Sequence, residues 1–336
     1  MRPSPSRLAV VALAGLLLAG CGSPADDPAA DGPADGGGVF PVTVEHAFGS
    51  TTVESEPTRV VSVGYTEQDT LLALGVVPVG VTEWYGEQPY ATWPWAQDEL
   101  GDAEPTVLTT DDGLQFEAIA ALDPDLIVAT NAGLDQEDYD TLSGIAPVVA
   151  HSAEAYFEPW DVQTLAIGTA LGKADEAQEL VDGIEAQFAE AAAEHPEFAG
   201  TPAVFLQNAV YEGDLIAYQE GLSTAFLTDL GFTVPAVLDQ FATEGQAYIP
   251  LEQAPVLDEA EVLIWGTEAP ADRAALESLG VYRSLSAVQG GHLVFTDGTL
   301  AGAIYFTSPL SLPYVLDQLV PALATAVAGD PSTVPA

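Results

Sequence analysis

Five aromatic side chains, Trp84, Tyr85, Tyr90, Trp93 and Trp95, fall within twelve positions and include three of the chain's five tryptophans. Gly86, Pro89 and Pro94 interrupt the same stretch, which predicts an irregular loop rather than a core helix or strand. Aromatic faces gathered on a broken loop suit a cleft wall, where they bind apolar surface and cationic groups alike. Bond-breaking chemistry has no comparable signature. Neither a Gly-x-Ser-x-Gly elbow nor a His-Glu-x-x-His pair occurs, so the local marks of a serine hydrolase and a zinc peptidase are missing. Gly168-Thr169-Ala170-Leu171-Gly172-Lys173 is one residue short of a phosphate loop and lacks its Ser or Thr; it reads as a helix stop. His46, His151, His195 and His292 lack metal-ligand spacing, and only His151, which follows a strand-like run, is placed to reach a cleft.

Composition narrows the partners. The 336 residues carry 51 Asp and Glu against 6 Lys and Arg, a formal charge of −45. With 48% apolar residues the chain has ample material for a core, and global disorder is a poor description. So acidic a surface repels phosphate backbones and anionic lipid, which excludes nucleic acid as a partner. It also suits a salty environment. A single cysteine, Cys21, rules out an intrachain disulfide framework or a multi-thiolate zinc site.

That cysteine has an address. Arg2 and Arg7 precede the apolar run Leu8 to Leu18, which ends in Ala19-Gly20-Cys21. A basic start, a short apolar core and small residues at the end describe an export signal, and the run is too short for a comfortable membrane span. Leu17-Leu18-Ala19-Gly20-Cys21 resembles the bacterial lipobox, which implies lipidation of Cys21 and attachment to the outer face of the cytoplasmic membrane. Residues 22 to 38 are mostly Gly, Pro, Ala and Asp and read as a flexible tether. The organisation expected is therefore a signal peptide over 1–20, a lipidated Cys and tether over 21–39, then the folded body.

Within that body, strand-like and helical runs alternate. Val60 to Val63, Val76 to Val81, Leu126 to Val128, Pro147 to Val149, Ala203 to Leu206, Leu215 to Tyr218, Val262 to Trp265 and Leu293 to Phe295 are strand-like. Between them lie helical patterns over 67–74, 116–122, 161–171, 223–230 and 310–323, with Pro321 expected to kink or stop the last. The alternation predicts α/β layers on mostly parallel sheets. From Ala174 to His195 an amphipathic pattern runs with Leu180, Ile184 and Phe188 at intervals of four. Its place between two α/β blocks predicts a rigid connecting helix over 173–198, with lobes over 40–172 and 199–326 and a frayed tail over 327–336. One repeat supports two similar lobes. Phe116-Glu117 precedes the strand at Leu126 as Leu251-Glu252 precedes the strand at Val262, each Glu five residues before a Leu and ten before the strand core.

Taken together, these pieces resemble the substrate-binding lipoproteins of ABC importers for ferric siderophores, haem and cobalamin. The likeness runs from about Phe40 to Ala326. It is carried by Glu56-Pro57-Thr58-Arg59-Val60-Val61, the Leu71 to Val81 run, Phe116-Glu117 with Pro124-Asp125-Leu126-Ile127-Val128, Leu171-Gly172-Lys173 and Leu279 to Val294. Glu259-Ala260 stands where the family pattern more often has Pro-Asp. The resemblance implies two Rossmann-like lobes joined by one long rigid helix, a ligand cleft between them, no catalysis and no cofactor, iron arriving only inside its chelate. It also implies a monomer that docks on an ABC permease dimer through Glu117 and Glu252. A surface-anchored α/β hydrolase is the alternative of another class.

Open α/β sheets bind ligands beyond the carboxyl ends of their strands. Those ends nominate Tyr65, Trp84, Tyr85, Trp93, Trp95, Asn131, Tyr156, Tyr211, Trp265 and Tyr305 as ligand contacts. Taken singly, Tyr65, Tyr211, Trp265 and Tyr305 suit core packing as well. The ligand's charge can also be read. Only Arg59, Lys173, Arg273 and Arg283 follow the export signal, and none sits near most cleft loops, so no basic cluster is available for an anionic tricatecholate. A neutral or cationic chelate is expected, a ferric hydroxamate of the ferrioxamine kind, with haem and cobalamin as alternatives because several Tyr and His could act as axial ligands.

Overall fold

The computed structural model describes residues 39–111, 113–152, 158–243, 245–330 and 332–333. Cys21 and Tyr156 lie outside them. Residues 39–336 form one compact unit, built around two sheets.

The first sheet follows a short antiparallel hairpin, β1 (Val42–His46) and β2 (Gly49–Val53). Its strands are β3 (Val60–Ser62), β4 (Gly80–Thr82), β5 (Thr106–Leu108), β6 (Leu126–Ala129) and β7 (Val148–Ala150). All pair in parallel in the order β5-β4-β3-β6-β7. Parallel strands covered on both faces must be apolar throughout, and every residue of β3, β6 and β7 is buried. Chain order reverses between β3 and β6, and a crevice opens beyond their carboxyl ends. The Thr58-Arg59 and Pro124-Asp125 pieces of the sequence meet below this point. Asp125 Oδ2 accepts from Thr58 N and Oγ1, both at 2.8 Å, and Asp125 Oδ1 from Arg59 N at 2.8 Å. Arg59 Nε donates to the carbonyls of Leu122 and Asp123 at 3.2 and 3.0 Å, at the end of helix Phe116–Ala121. These contacts fix the helix on the strand, and Arg59 is spent on structure.

The second sheet is mixed. It comprises β8 (Ala203–Tyr211), β9 (Asp214–Tyr218), β10 (Ala242–Thr243), β11 (Gln246–Pro250), β12 (Val262–Gly266), β13 (Leu293–Phe295) and β14 (Ser332–Thr333). The order is β10-β11-β9-β8-β12-β13-β14, with β8, β12, β13 and β14 parallel and the hairpin side antiparallel. The tail expected to fray therefore adds an edge strand at Ser332–Thr333. Helix Ser311–Val327 passes Pro321 without ending there, because its face from Leu312 to Ala326 is buried in the second core. The repeat survives in part. Glu117 lies in the first turn of an α-helix, but Glu252 opens a 3-10 segment, Leu251–Glu259, into which Pro255 brings no N–H. Both glutamates are exposed.

A single helix, Ala174–Glu194, runs between the two sheets in sequence and spans about 31 Å at 1.5 Å per residue. Its apolar stripe is divided between them. Ala177 belongs to the core of the first lobe, Ile184 and Phe188 to that of the second, and Leu180 packs against both. A helix sharing side chains with two cores resists bending more than a linker of equal length.

Candidate functional site

Between the lobes lies a cleft of about 750 Å³. Tyr65 and Thr66 follow β3, Trp84 and Tyr85 follow β4, Asn131 follows β6, and Glu158 completes the first lobe's side. The second lobe contributes Gln207 and Asn208 from β8, Tyr218 at the end of β9 with the following residues to Ser223, Gly245 and Gln246, Glu268 beyond β12, and Ile304, Tyr305 and Thr307. Aromatic rings and neutral amides dominate. No Lys, Arg or His is among these residues.

Trp84 is the most open ring of the site, 48% exposed. Tyr65 stacks on it at 4.9 Å from the first lobe, and Phe306 tilts against it at 4.4 Å from the second. Tyr85 meets Tyr305 edge-on at 6.4 Å across the same gap. Burial raises the Tyr85 hydroxyl above the usual tyrosine range, and a hydrogen bond to the Glu268 carboxylate adds to the effect. Burial likewise raises Tyr305 and Tyr218, with Glu268 a further contributor to each. These phenols stay protonated and serve as hydrogen-bonding edges.

Beneath the first lobe's wall lies a buried polar network. Glu67, fully buried, opens helix Glu67–Ala73, and its Oε1 accepts from Asn131 N at 2.8 Å. Burial raises the Glu67 carboxyl, opposed chiefly by that backbone donor. Asn131 Nδ2 donates to Thr66 Oγ1 at 2.6 Å, Thr66 Oγ1 donates to Gln163 Oε1 at 3.1 Å, and Asn131 Oδ1 accepts from Glu158 N at 2.7 Å. The Asn131 amide is thus consumed in holding Thr66 and Glu158 against the cleft. Gly64 permits the arrangement, since a Cβ there would stand 2.1 Å from Glu67 Oε1.

The ten nominated contacts divide. Tyr65, Trp84, Tyr85, Asn131 and Tyr305 line the cleft. Trp93 and Trp95 do not: they stack at 4.9 Å in a seam between the lobes. Trp93 is 4% exposed and lies against Gly302, where a Cβ would come within 2.3 Å of its ring. Trp95 Nε1 donates to Asp69 Oδ2 at 2.7 Å. Tyr211 is 60% exposed and outside the cleft, because β8 continues through a bulge between Leu206 and Val210 into a hairpin that carries it away. Trp265 is 1% exposed and packs on Tyr282 at 5.9 Å inside the second core. The strand's true exit is three residues later, at Glu268. His151 is buried against Phe48 at 5.1 Å and does not reach the cleft. Residues the sequence reading missed are Thr66, Glu158, Tyr218, Gln246, Glu268 and Phe306. Of these, Glu268 was legible as the second residue past a strand's Trp-Gly exit. Among the described residues no group of His, Cys, Asp and Glu is arranged to hold a metal ion, and no helix is long and apolar enough to cross a membrane.

Two α/β lobes on a shared helix, with an aromatic cleft between them, define an extracytoplasmic substrate-binding protein. The chain belongs to the periplasmic binding protein family, whose model matches residues 60–300. It is a binding component of ABC transport and not an enzyme, which removes the hydrolase alternative. A solved periplasmic solute binding protein from Mycobacterium smegmatis str. MC2 155 is 48% identical, with a TM-score of 0.80 over 85% of this chain and 98% of that one. PiaA of Streptococcus pneumoniae TIGR4, solved in complex with ferrichrome, is 29% identical, with a TM-score of 0.73 over 86% and 99%. The Fe(3+) dicitrate-binding periplasmic protein FecB of Escherichia coli (strain K12) is 31% identical over 67% of this chain and 72% of its own. Other curated relatives match over 41% to 54% of their length.

Proposed function

We propose that the protein captures a ferric siderophore of the hydroxamate kind, without net negative charge, and delivers it to an ABC importer. The observation that carries this reading is the lining of the cleft: aromatic faces, amides and the carboxylates of Glu158, Glu220 and Glu268, with no cationic side chain among the described residues that line it. Three hydroxamates cancel the charge of ferric iron, whereas three catecholates leave a trianion whose burial demands paired cations. The four basic residues of the folded body are placed elsewhere. Arg59 holds a helix end, Arg273 pairs with Glu277 at 2.9 Å, Arg283 donates to the Glu277 carbonyl, and Lys173 precedes the connecting helix. FecB is named for Fe(3+) dicitrate and PiaA was solved with ferrichrome, so the family accommodates more than one chelate, and the lining here supports the hydroxamate reading. The haem alternative is weaker, since no His lines the cleft and burial raises the hydroxyls of Tyr85, Tyr218 and Tyr305. Iron enters only within the chelate, the protein works as a monomer, and Cys21 carries the lipid that keeps it at the membrane. Glu117 and Glu252 meet the permease dimer, one carboxylate from each lobe.

The test is a titration of purified protein, followed by tryptophan fluorescence, with a ferric trihydroxamate, a ferric tricatecholate, ferric citrate and haem. Trp84 stands half-exposed in the cleft, so the trihydroxamate should quench strongly and bind tightest. Tighter binding of the tricatecholate than of every hydroxamate overturns the charge assignment.

A further inference from the structure

Glu268 differs from the other two carboxylates of the cleft. Glu158 accepts from both the backbone N–H and the hydroxyl of Ser152, the latter at 3.1 Å, and Glu220 stands exposed. Glu268 is half-buried, and its backbone is fixed on both sides. Asp272 Oδ2 accepts from Glu268 N and Ala269 N, both at 2.9 Å. Just before it, Thr267 Oγ1 donates to Thr296 O at 2.5 Å and Thr296 Oγ1 to Thr267 O at 2.8 Å. The side chain enters the cleft beside the Tyr85 hydroxyl, which reaches it from the opposite lobe. Its charge is felt by Tyr218 and Tyr305 as well. A carboxylate has about four acceptor directions, so even beside the Tyr85 hydroxyl Glu268 has room for a further donor. No Lys, Arg or His of the cleft lining supplies it. Arg273, five residues on, turns to Glu277 and to the face of Phe295, 4.2 Å from the ring centroid.

We infer that Glu268 is a specificity-determining residue that receives a protonated amine on the siderophore, holding the ammonium by charge and hydrogen bond beside the rings of Tyr85 and Tyr305. The ligand class is then a ferric trihydroxamate with a free primary amine: a neutral iron centre and one positive arm. Fixed backbone on both flanks means little reorganisation is needed to present the carboxylate. The adjoining rings add attraction for the same charge. This assignment rests on the proposed siderophore function and narrows it.

The experiment compares ferrioxamine with its terminal amine free and the same chelate N-acetylated, on the full folded protein and on Glu268→Gln. Glutamine keeps the shape and an acceptor for Tyr85 while removing the charge. The unmodified protein should prefer the free amine by about tenfold at low salt, and the preference should shrink as salt rises. Glu268→Gln should bind the acetylated form as the parent does, which also certifies its fold, and lose the preference. A tenfold preference kept by Glu268→Gln, no preference in the parent, or equal loss of both ligands in the variant would overturn the inference while leaving siderophore binding standing. Failure of the parent to bind either form would instead remove the proposed function, and this inference with it. Glu259→Gln, at an exposed position outside the cleft, is the control and should keep the preference.

Discussion

Asp69 and Ser308 are 239 positions apart in sequence, yet Ser308 Oγ donates to Asp69 Oδ2 at 2.6 Å. The same carboxylate oxygen accepts from Trp95 Nε1, while Oδ1 has no hydrogen-bond partner. One buried side chain thus ties the first lobe's helix, the aromatic loop and the second lobe together beside the cleft. Such a bond sets the spacing of the two walls and makes the seam sensitive to the proton on Asp69.

Burial pushes the Asp69 carboxyl up to about 6 from an ordinary 3.8, against the opposing hydrogen bonds from Ser308 and Trp95. A raised acid binds its proton more tightly folded than unfolded, so its contribution to stability is present below about pH 4 and is lost as pH rises through about 6. The loss is on the order of 3 kcal/mol for a shift of this size. Asp69→Asn should remove that slope. Denaturant melts of both proteins between pH 4 and 8 are the measurement, and the variant's stability relative to the parent should rise with pH. A constant difference across the range would show that Asp69 does not titrate there.

Trp84 and Trp93 should respond oppositely to truncation. Trp84→Ala removes a half-exposed ring of the cleft and should weaken chelate binding by about tenfold, roughly 1.4 kcal/mol, with little change in melting temperature. Trp93→Ala empties the seam against Gly302 and should cost about 3–5 kcal/mol of stability. Calorimetric melts and fluorescence titrations of both variants check the pair.

Gly64→Ala should act on the cleft without touching it. The new methyl would collide with Glu67 Oε1, displace the acceptor of Asn131 N–H and loosen Thr66 and Glu158. Lower chelate affinity together with a lower melting temperature is expected, and unchanged values in both would refute the role of this network.

Glu117→Ala with Glu252→Ala should abolish uptake in cells while chelate affinity stays at the parent level, since both side chains are exposed and outside the cleft. Two carboxylates at matching places on two lobes give a two-point electrostatic register on a dimeric permease. Iron-dependent growth beside a binding titration separates the two effects. In the native host, Cys21→Ser should carry no lipid by mass spectrometry; lipid retained on that variant would refute the anchor.

Much of the architecture is local information and was legible in residue order. Continuous apolar runs at Val60, Leu126 and Val262 mark strands covered on both faces, and the four-residue recurrence of Leu180, Ile184 and Phe188 marks the connecting helix. Charge belongs to composition, so the scarcity of cations was also plain. The hairpin Val42–Val53, strand Thr106–Leu108 and helix Gly298–Tyr305 went unread, being short, half-exposed or free of polar periodicity. The aromatic loop shows the deeper limit. An irregular segment has no period from which to infer direction, so nothing in Trp84 to Trp95 separates the cleft pair Trp84 and Tyr85 from the seam pair Trp93 and Trp95. Their neighbours Gly302, Phe306 and Ser308 come from more than two hundred residues away. Strand exits failed for a related reason: the β8 bulge moved Tyr211 out to a hairpin, and the alternation of β12 turned Trp265 into the core. Sequence determined which elements form and what charge they carry; only the packing of one lobe against the other decided which side chains face the ligand, because that choice depends on contacts no local pattern encodes.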